Sequence, residues 1–384
     1  RQDRRAVPVG VALSGGLDSR CFAGVAARQT KKLPVFTFGV PTSMERRLAH
    51  QVAQALEADE YTVDPKDLSD WNWMTHFDSF CRSMDGTISV LHGHEGLLLN
   101  SMSSACGVVL DGLTGGVFFG DHLLPKTLNQ PISENPGHTF LKKFNAAFSP
   151  EELLKLLPDG ACKNSVGNLA DGFQQRITKT KTNNLSNLCD YVDWRERQRR
   201  FILNGNQLLR TAVEVRVPFY DNDLLDFALT LPESVRINIT LFREAVVDLI
   251  PNLAHIKRTP YEDEILYTPP AQPSLWRMLR CPELLLRKRK KHWRPLQALI
   301  RAYALPFLGR APALDYRAIL LQDRELRAYL ENAYPPGNPW FSATAIPDLF
   351  SRISQSPGKA GVSAMYRLFT LLTLALYRKQ IGWD

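Results

Sequence analysis

The stretch Val9-Gly10-Val11-Ala12-Leu13-Ser14-Gly15-Gly16-Leu17-Asp18-Ser19-Arg20 decides the fold. Its first residues are apolar and β-compatible, so they read as a buried strand. Gly15 and Gly16 then permit a backbone approach that side chains would block. Ser19 reads as the start of a helix carrying Cys21, Phe22, Val25 and Ala26. Such a turn aims several backbone N–H groups, and the positive end of a helix dipole, at one point. That point suits an anion, above all phosphate or pyrophosphate.

The loop has no Gly-Lys-Ser/Thr ending and so is not a Walker A loop. It also lacks the third glycine of a dinucleotide fingerprint. Ser14-Gly15-Gly16-Leu17-Asp18-Ser19 instead resembles the PP-loop of the ATP pyrophosphatases. In that superfamily the loop holds the β,γ-phosphates and the aspartate helps to hold Mg²⁺, while the α-phosphate is transferred. The plainer alternative is a glycine turn that only packs a helix against a strand.

A chain of 384 residues with a 44% hydrophobic share can bury a large core, which excludes a disordered class. Its length suits about two or three packed units. The net charge of +8 favours acidic partners such as nucleotides. The six cysteines (Cys21, Cys81, Cys106, Cys162, Cys189 and Cys281) form no C-x-x-C pair. That speaks against a zinc ribbon or disulfide scaffold and points to a reducing cytoplasm. No signal peptide pattern precedes the first strand and no apolar run reaches membrane-spanning length. The first residue, Arg1, is not methionine, so the chain reads as a piece of a longer protein.

The first third alternates strand and helix. A strand over Leu33 to Gly39 leads to a helix from about Ser43 to Ala58, with Leu48, Val52, Ala55 and Leu56 at helical spacing. A short strand follows at Tyr61 to Val63, then a helix that includes His94 to Ser103. Gly107 to Leu110 gives another buried strand, ending in Asp111-Gly112-Leu113-Thr114-Gly115-Gly116. This βαβα order implies an α/β fold, a parallel sheet with helices on both faces. Ligands of such sheets sit beyond the carboxyl ends of the strands, where both glycine-rich loops would lie. The expected division is a core over 1–125, an irregular or helical insertion over 126–190 and a helical remainder over 191–384. From Tyr191 the pattern reads as helical to the end, broken at Pro218, Pro232, Pro251 and Pro269-Pro270.

Thr211-Ala212-Val213-Glu214-Val215-Arg216-Val217-Pro218-Phe219-Tyr220-Asp221 is followed by Leu224, Leu225, Phe227, Ala228, Leu229 and Leu231-Pro232. This resembles the "E-x-R-x-P-F-x-D, apolar helix, L-P" stretch of class B asparagine synthetases and their relatives. Phe242-Arg243-Glu244-Ala245 is similar to the family's next helix, Pro251 to Arg258 to the segment after it, and Met365 to Lys379 to its terminal apolar helix.

The resemblance implies an ATP-dependent amide-forming ligase with ATP and Mg²⁺ as cofactors and a small carboxylate as substrate. A carboxylate would attack the α-phosphorus, giving an acyl-adenylate and pyrophosphate, and a nitrogen nucleophile would then release AMP. It implies Ser14, Gly15, Gly16, Leu17 and Ser19 as the phosphate cradle and Asp18 as the metal ligand. Leu13, Phe38 in its strand and Gly112 would flank adenine and ribose. Arg243, Lys257 and Arg258 are the expected catalytic cations beside Asp18.

The departures are local. Where the family carries an acidic loop of the type S-G-x-G-x-D-E, this chain has Asp111-Gly112-Leu113-Thr114-Gly115-Gly116-Val117. Asp111 and Asp121 flank the turn without occupying the acidic places. The lysine four residues before Arg243 is replaced by Ile239, and no lysine follows Arg258. These changes suggest an acceptor other than aspartate. No catalytic cysteine precedes the loop, so a glutaminase domain or subunit would have to come from outside this chain.

Two rival classes are a catalytically silent nucleotide-binding relative and a tRNA-modifying PP-loop enzyme. The second would need cysteines at thiolation spacing, which are absent, so nucleic acid is not the expected partner. Glu214, Arg216 and Asp221 read either as substrate contacts or as ion pairs fixing helices. His92, His94 and Glu95 are not spaced for one helix face, which weakens a metal reading. The run Arg287 to His292 with Trp293 reads first as a solvated charged face.

Overall fold

The computed structural model describes residues 7–64, 71–120, 148, 152, 171–172, 174–180, 185–258, 315–335, 345–355 and 359–382. The chain divides into two units. One comprises Arg1–Trp71, Glu95–Asp121 and Asn206–Asp315; the other comprises Asn72–His94, His122–Gly205 and Tyr316–Asp384. The basic run at 287–292, Asp121, Pro269-Pro270, Cys162, Cys281 and most of the 126–190 segment lie outside the described residues.

The first unit is built on five strands: β1 (Val9–Ala12), β2 (Pro34–Phe38), β3 (Asp59–Val63), β4 (Val108–Asp111) and β5 (Glu214–Arg216). All neighbours pair in parallel, in the order β3-β2-β1-β4-β5. After β1 the chain moves outward through β2 and β3, then returns to the other side of β1 for β4 and β5. The direction of winding therefore changes between β1 and β4, where open α/β sheets bind their ligands.

Side chains alternate across each strand, and the two faces have separate cores. Phe36, Val109 and Val215 pack with Leu98, Met102, Cys106, Leu209 and Val213 on one face. Val11 and Val35, in register with each other, point the other way and are fully buried. Helices α1 (Leu17–Ala26) and α2 (Met44–Ala55) pack against the strands, and α4 (Leu99–Ala105) packs against β2.

The strand–loop–helix expectation holds, with one shift: Gly16, not Ser19, is the cap residue and α1 begins at Leu17. In α2 the Ser43 side chain accepts from the Arg46 N–H at 3.3 Å and so caps the helix. Leu48, Ala49, Val52 and Ala53 are its buried residues. Two expectations are corrected. The segment at His94 to Ser103 is a 3₁₀ helix over Val90–Leu98 followed by α4. The region after Tyr191 is not helical throughout, because Glu214–Arg216 forms the edge strand β5 beside β4. Val215 is buried between exposed Glu214 and Arg216, the alternation of a strand with one covered face.

The second unit is helical among the described residues. Helix α3 (Trp73–Met84) is capped by Asn72, whose side chain accepts from the Thr75 N–H at 2.7 Å. The terminal helix, Lys359–Gln380, buries Leu368, Phe369, Leu371, Leu372, Ala375 and Leu376. Phe369 meets Phe77 of α3 edge-on at 5.6 Å. Among the described residues no helix is long and apolar enough to cross a membrane.

Candidate active site

The loop after β1 is held by its own hydroxyls. Ser14 N–H donates to Ser19 Oγ at 3.0 Å, the two hydroxyl oxygens lie 2.9 Å apart, and Gly16 N–H donates to Ser14 Oγ at 3.1 Å. Leu13, buried at the end of the strand, ties its N–H to Phe36 O at 2.8 Å. Gly16 caps α1 with no side-chain hydrogen bond, so no side chain covers the first-turn N–H groups as a cap. The Gly15 N–H donates to Glu45 Oε1 at 3.1 Å. A carboxylate oxygen thus already sits on a backbone N–H of this loop.

The second glycine loop, after β4, presses against the first. A Cβ at Gly112 would lie 2.5 Å from the Ser19 backbone nitrogen, and one at Gly115 would lie 2.9 Å from Asp18 Cγ and 2.4 Å from Phe219 Cε2. Only glycine allows this approach. Thr114 takes a left-handed conformation (φ 74°) to turn the chain into the one-turn helix α5 (Gly115–Phe118). The Gly116 N–H then donates to both carboxylate oxygens of Asp18, at 3.2 and 3.1 Å. A backbone donor therefore meets Asp18 at the place where the sequence comparison puts an acid.

Asp111, at the end of β4, is buried and accepts from Leu113 N–H at 3.1 Å and from Asn206 Nδ2 at 2.8 Å. Burial, and then the neighbouring Glu95 carboxylate, push its pKa up to about 7. Burial raises Glu95 as well. This buried pair favours the protonated form of one partner because two adjacent charges in low dielectric repel.

The expected cations are placed differently from one another. Arg243 is buried in the helix Thr240–Leu249, next to Phe242, which stacks on Phe119 at 5.2 Å. Ile239, in the lysine position, is buried with φ 55° just before that helix. Lys257 is exposed and lines a cavity of about 610 Å³ with Arg47, Gln51, Gln54 and His255. Arg258 is half-buried and close enough to Arg20 to act on its charge. Phe38 ends β2, half-buried, against the core that contains Phe36.

Sequence reading passed over four contributors: Arg20, Glu45, Asn206 and the Gly116 N–H. A signal existed only for Arg20. It falls at helical spacing with Leu17, Cys21 and Gly24, all buried, so it belongs to the inward stripe of α1.

The remaining candidates have local partners. Glu214 and Arg216 form an exposed ion pair at 2.7 Å. Asp221 caps the helix Asn222–Thr230, accepting from the N–H groups of Asp223 and Leu224 at 3.0 and 3.2 Å. His94 Nδ1 donates to Leu91 O at 3.3 Å and the His92 ring meets Phe201 edge-on at 5.2 Å. Burial lowers the pKa of both, which keeps them neutral. Among the described residues no group of three or more His, Cys, Asp or Glu could hold a metal ion.

A parallel sheet with a phosphate-type loop at its switch point, faced by a second glycine loop, defines a PP-loop α/β domain. The family model for asparagine synthase matches residues 1–259, and the chain belongs to that family of ATP-dependent amide-forming ligases. A search of curated proteins found no match.

Proposed function

We propose that this chain activates a small carboxylate with ATP and passes the acyl group to ammonia or an amine. In the first step a carboxylate oxygen forms a bond to the α-phosphorus, and the bond to the β-phosphate bridging oxygen breaks, releasing pyrophosphate. In the second, nitrogen bonds to the acyl carbon, the acyl–phosphate C–O bond breaks and AMP leaves with the electron pair. The amine gives up a proton to solvent or to a base.

The observation that carries this reading is the loop at Ser14 to Ser19 at the switch point, whose Gly15 N–H already meets a carboxylate oxygen, in a chain of the asparagine synthase family. Glu45 on the Gly15 N–H serves as a stand-in for a phosphate oxygen. Preorganised donors of this kind are worth roughly 3–4 kcal/mol each when aimed at developing charge. Ser14, Gly15, Gly16, Leu17 and Ser19 would hold the phosphates. Leu13, Phe38 and Gly112 would border the adenosine, and Arg243, Lys257 and Arg258 would balance the leaving pyrophosphate.

Asp18 fits Mg²⁺, because that ion is commonly held by one or two carboxylates together with phosphate oxygens and water. When bound, Mg²⁺ neutralises charge on the phosphates. The Gly116 N–H orients the Asp18 carboxylate in the meantime. With Gly116 and Val117 where the family carries acids, we infer an acceptor other than aspartate.

The test is isotope exchange between pyrophosphate and ATP across a panel of carboxylates, with Asp18→Ala as control. Exchange that depends on one carboxylate and drops by at least 100-fold in the variant supports adenylation and names the substrate. ATP binding without exchange for any acid favours the silent relative, a reading motivated by the missing loop acids.

A further inference from the structure

Asp111, Asn206 and Glu95 meet at the end of β4, and none of the steps above uses them. Asp111 is 7% exposed and Asn206 1%, while Glu95 is half-buried and forms the wetter side of the cluster. The residue after Asp111 is Gly112, which lies against the Ser19 backbone nitrogen. The cluster therefore sits one residue from the contact between the two glycine loops.

Its donors and acceptors do not balance. Asp111 accepts from the Leu113 N–H and from Asn206 Nδ2. The Asn206 amide oxygen, about 2.2 Å from that nitrogen in the same planar group, is buried with no hydrogen-bond partner among the described residues. Glu95 has neither a hydrogen-bond donor nor a cationic partner among the described residues. The charge that acts on Asp111 is the Glu95 carboxylate, and no described cation offsets it. A bare amide oxygen and a buried carboxylate without a counter-ion are each costly. Water would satisfy the oxygen and leave the charge unbalanced. A small cation that carries N–H donors answers both needs. Asp111 and Asn206 are almost closed to solvent, so unsubstituted ammonium fits better than a bulky amine.

We propose that Asp111, Glu95 and Asn206 form the ammonium subsite of the ligase: the amide oxygen and the carboxyl pair accept its N–H bonds, and the ionised carboxylate takes its proton. Burial raises both carboxyls, which suits the pair to hold a proton near neutrality. The transfer leaves ammonia with a free lone pair. Its nitrogen bonds to the acyl carbon, the C–O bond to AMP breaks and AMP leaves with the electron pair. The surplus proton on the new amide goes to solvent. This step rests on the amide-ligase reading; ammonium binding does not.

The experiment has two arms, both on the whole chain. In the first, thermal melting is followed by circular dichroism in ammonium, potassium and tetramethylammonium chloride at equal ionic strength, about 0.2 M. Wild type is compared with Glu95→Gln and Asp111→Asn, which keep side-chain shape and remove one carboxyl. Binding to the folded chain predicts a melting temperature about 2 °C higher in ammonium than in tetramethylammonium. Both variants should lose that difference. An equal rise in potassium would mark a site for any small cation and overturn the assignment. No rise, or one that persists in both variants, would overturn it as well.

In the second arm, amide formation is followed against ammonium concentration with the carboxylate that supports pyrophosphate exchange. Glu95→Gln should raise the KM for ammonium at least tenfold, and its loss of amide formation at limiting ammonium should exceed its loss of exchange at least tenfold. Equal losses would indicate a merely structural carboxylate and overturn the proposal with the ligase reading intact. If no carboxylate supports exchange, the ligase reading falls, and the melting arm still decides whether the cluster binds ammonium.

Discussion

Glu45 and Asp111 show how single side chains tune the site. Glu45 places an oxygen on the Gly15 N–H at 3.1 Å, where a phosphate oxygen would go in the proposed reaction. Glu45→Gln removes a competing negative charge, so Mg²⁺-ATP should bind about threefold to tenfold tighter by calorimetry. Asp111 gives a pH effect of defined sign. Its pKa rises from 3.8 to about 7 on folding, so the native state binds the extra proton within that window. Stability from this group is present below the unfolded value and is lost as pH rises through about 7. Asp111→Asn should flatten that decline, and should raise stability at pH 8 by on the order of 1–2 kcal/mol in urea titrations. The Asn206 amide oxygen, buried without a hydrogen-bond partner, would then gain a nearby donor. Of these residues the sequence makes the loop legible, because its glycines and hydroxyls act on their own neighbours. It conceals Asn206, which meets Asp111 across 95 residues. Arg20 was open to reading from its place on the Leu17–Cys21–Gly24 stripe, but a charged residue is ordinarily assigned to solvent.

At the level of elements, the site depends on two loops touching. The Gly112 turn lies so close to the start of α1 that an added methyl would sit 2.5 Å from Ser19 N, against backbone that cannot rotate away. Gly112→Ala should therefore cost roughly 1–3 kcal/mol in thermal or urea melts and weaken ATP at least tenfold by separating the loops. The strands that carry these loops were readable from apolar runs bounded by glycine. β5 was not, because three residues are too few to display a period, and its neighbours read as helix. The motif that contains β5 was recognised by its residue types, which read either as substrate contacts or as ion pairs fixing helices. Val215 joins the sheet core, the flanking Glu214 and Arg216 pair in solvent, and Asp221 caps a helix. The start of α1 moved to Leu17 because glycine in an extended conformation can cap a helix without a side chain.

For the molecule as a whole, the family match covers 1–259, and every ligand-binding residue proposed here falls within it. The net charge of +8 favours an anionic ligand without specificity. Fold class and family were legible because several motifs occur in the right order; the acceptor was not, because the altered loop residues remove known contacts without naming new ones. The most direct measurement is carboxylate-dependent exchange of labelled pyrophosphate into ATP by the whole chain, wild type against Asp18→Ala. The account predicts exchange with one carboxylate and its loss in the variant. Exchange that is undiminished in Asp18→Ala, or a wild-type chain that binds no ATP, would contradict it.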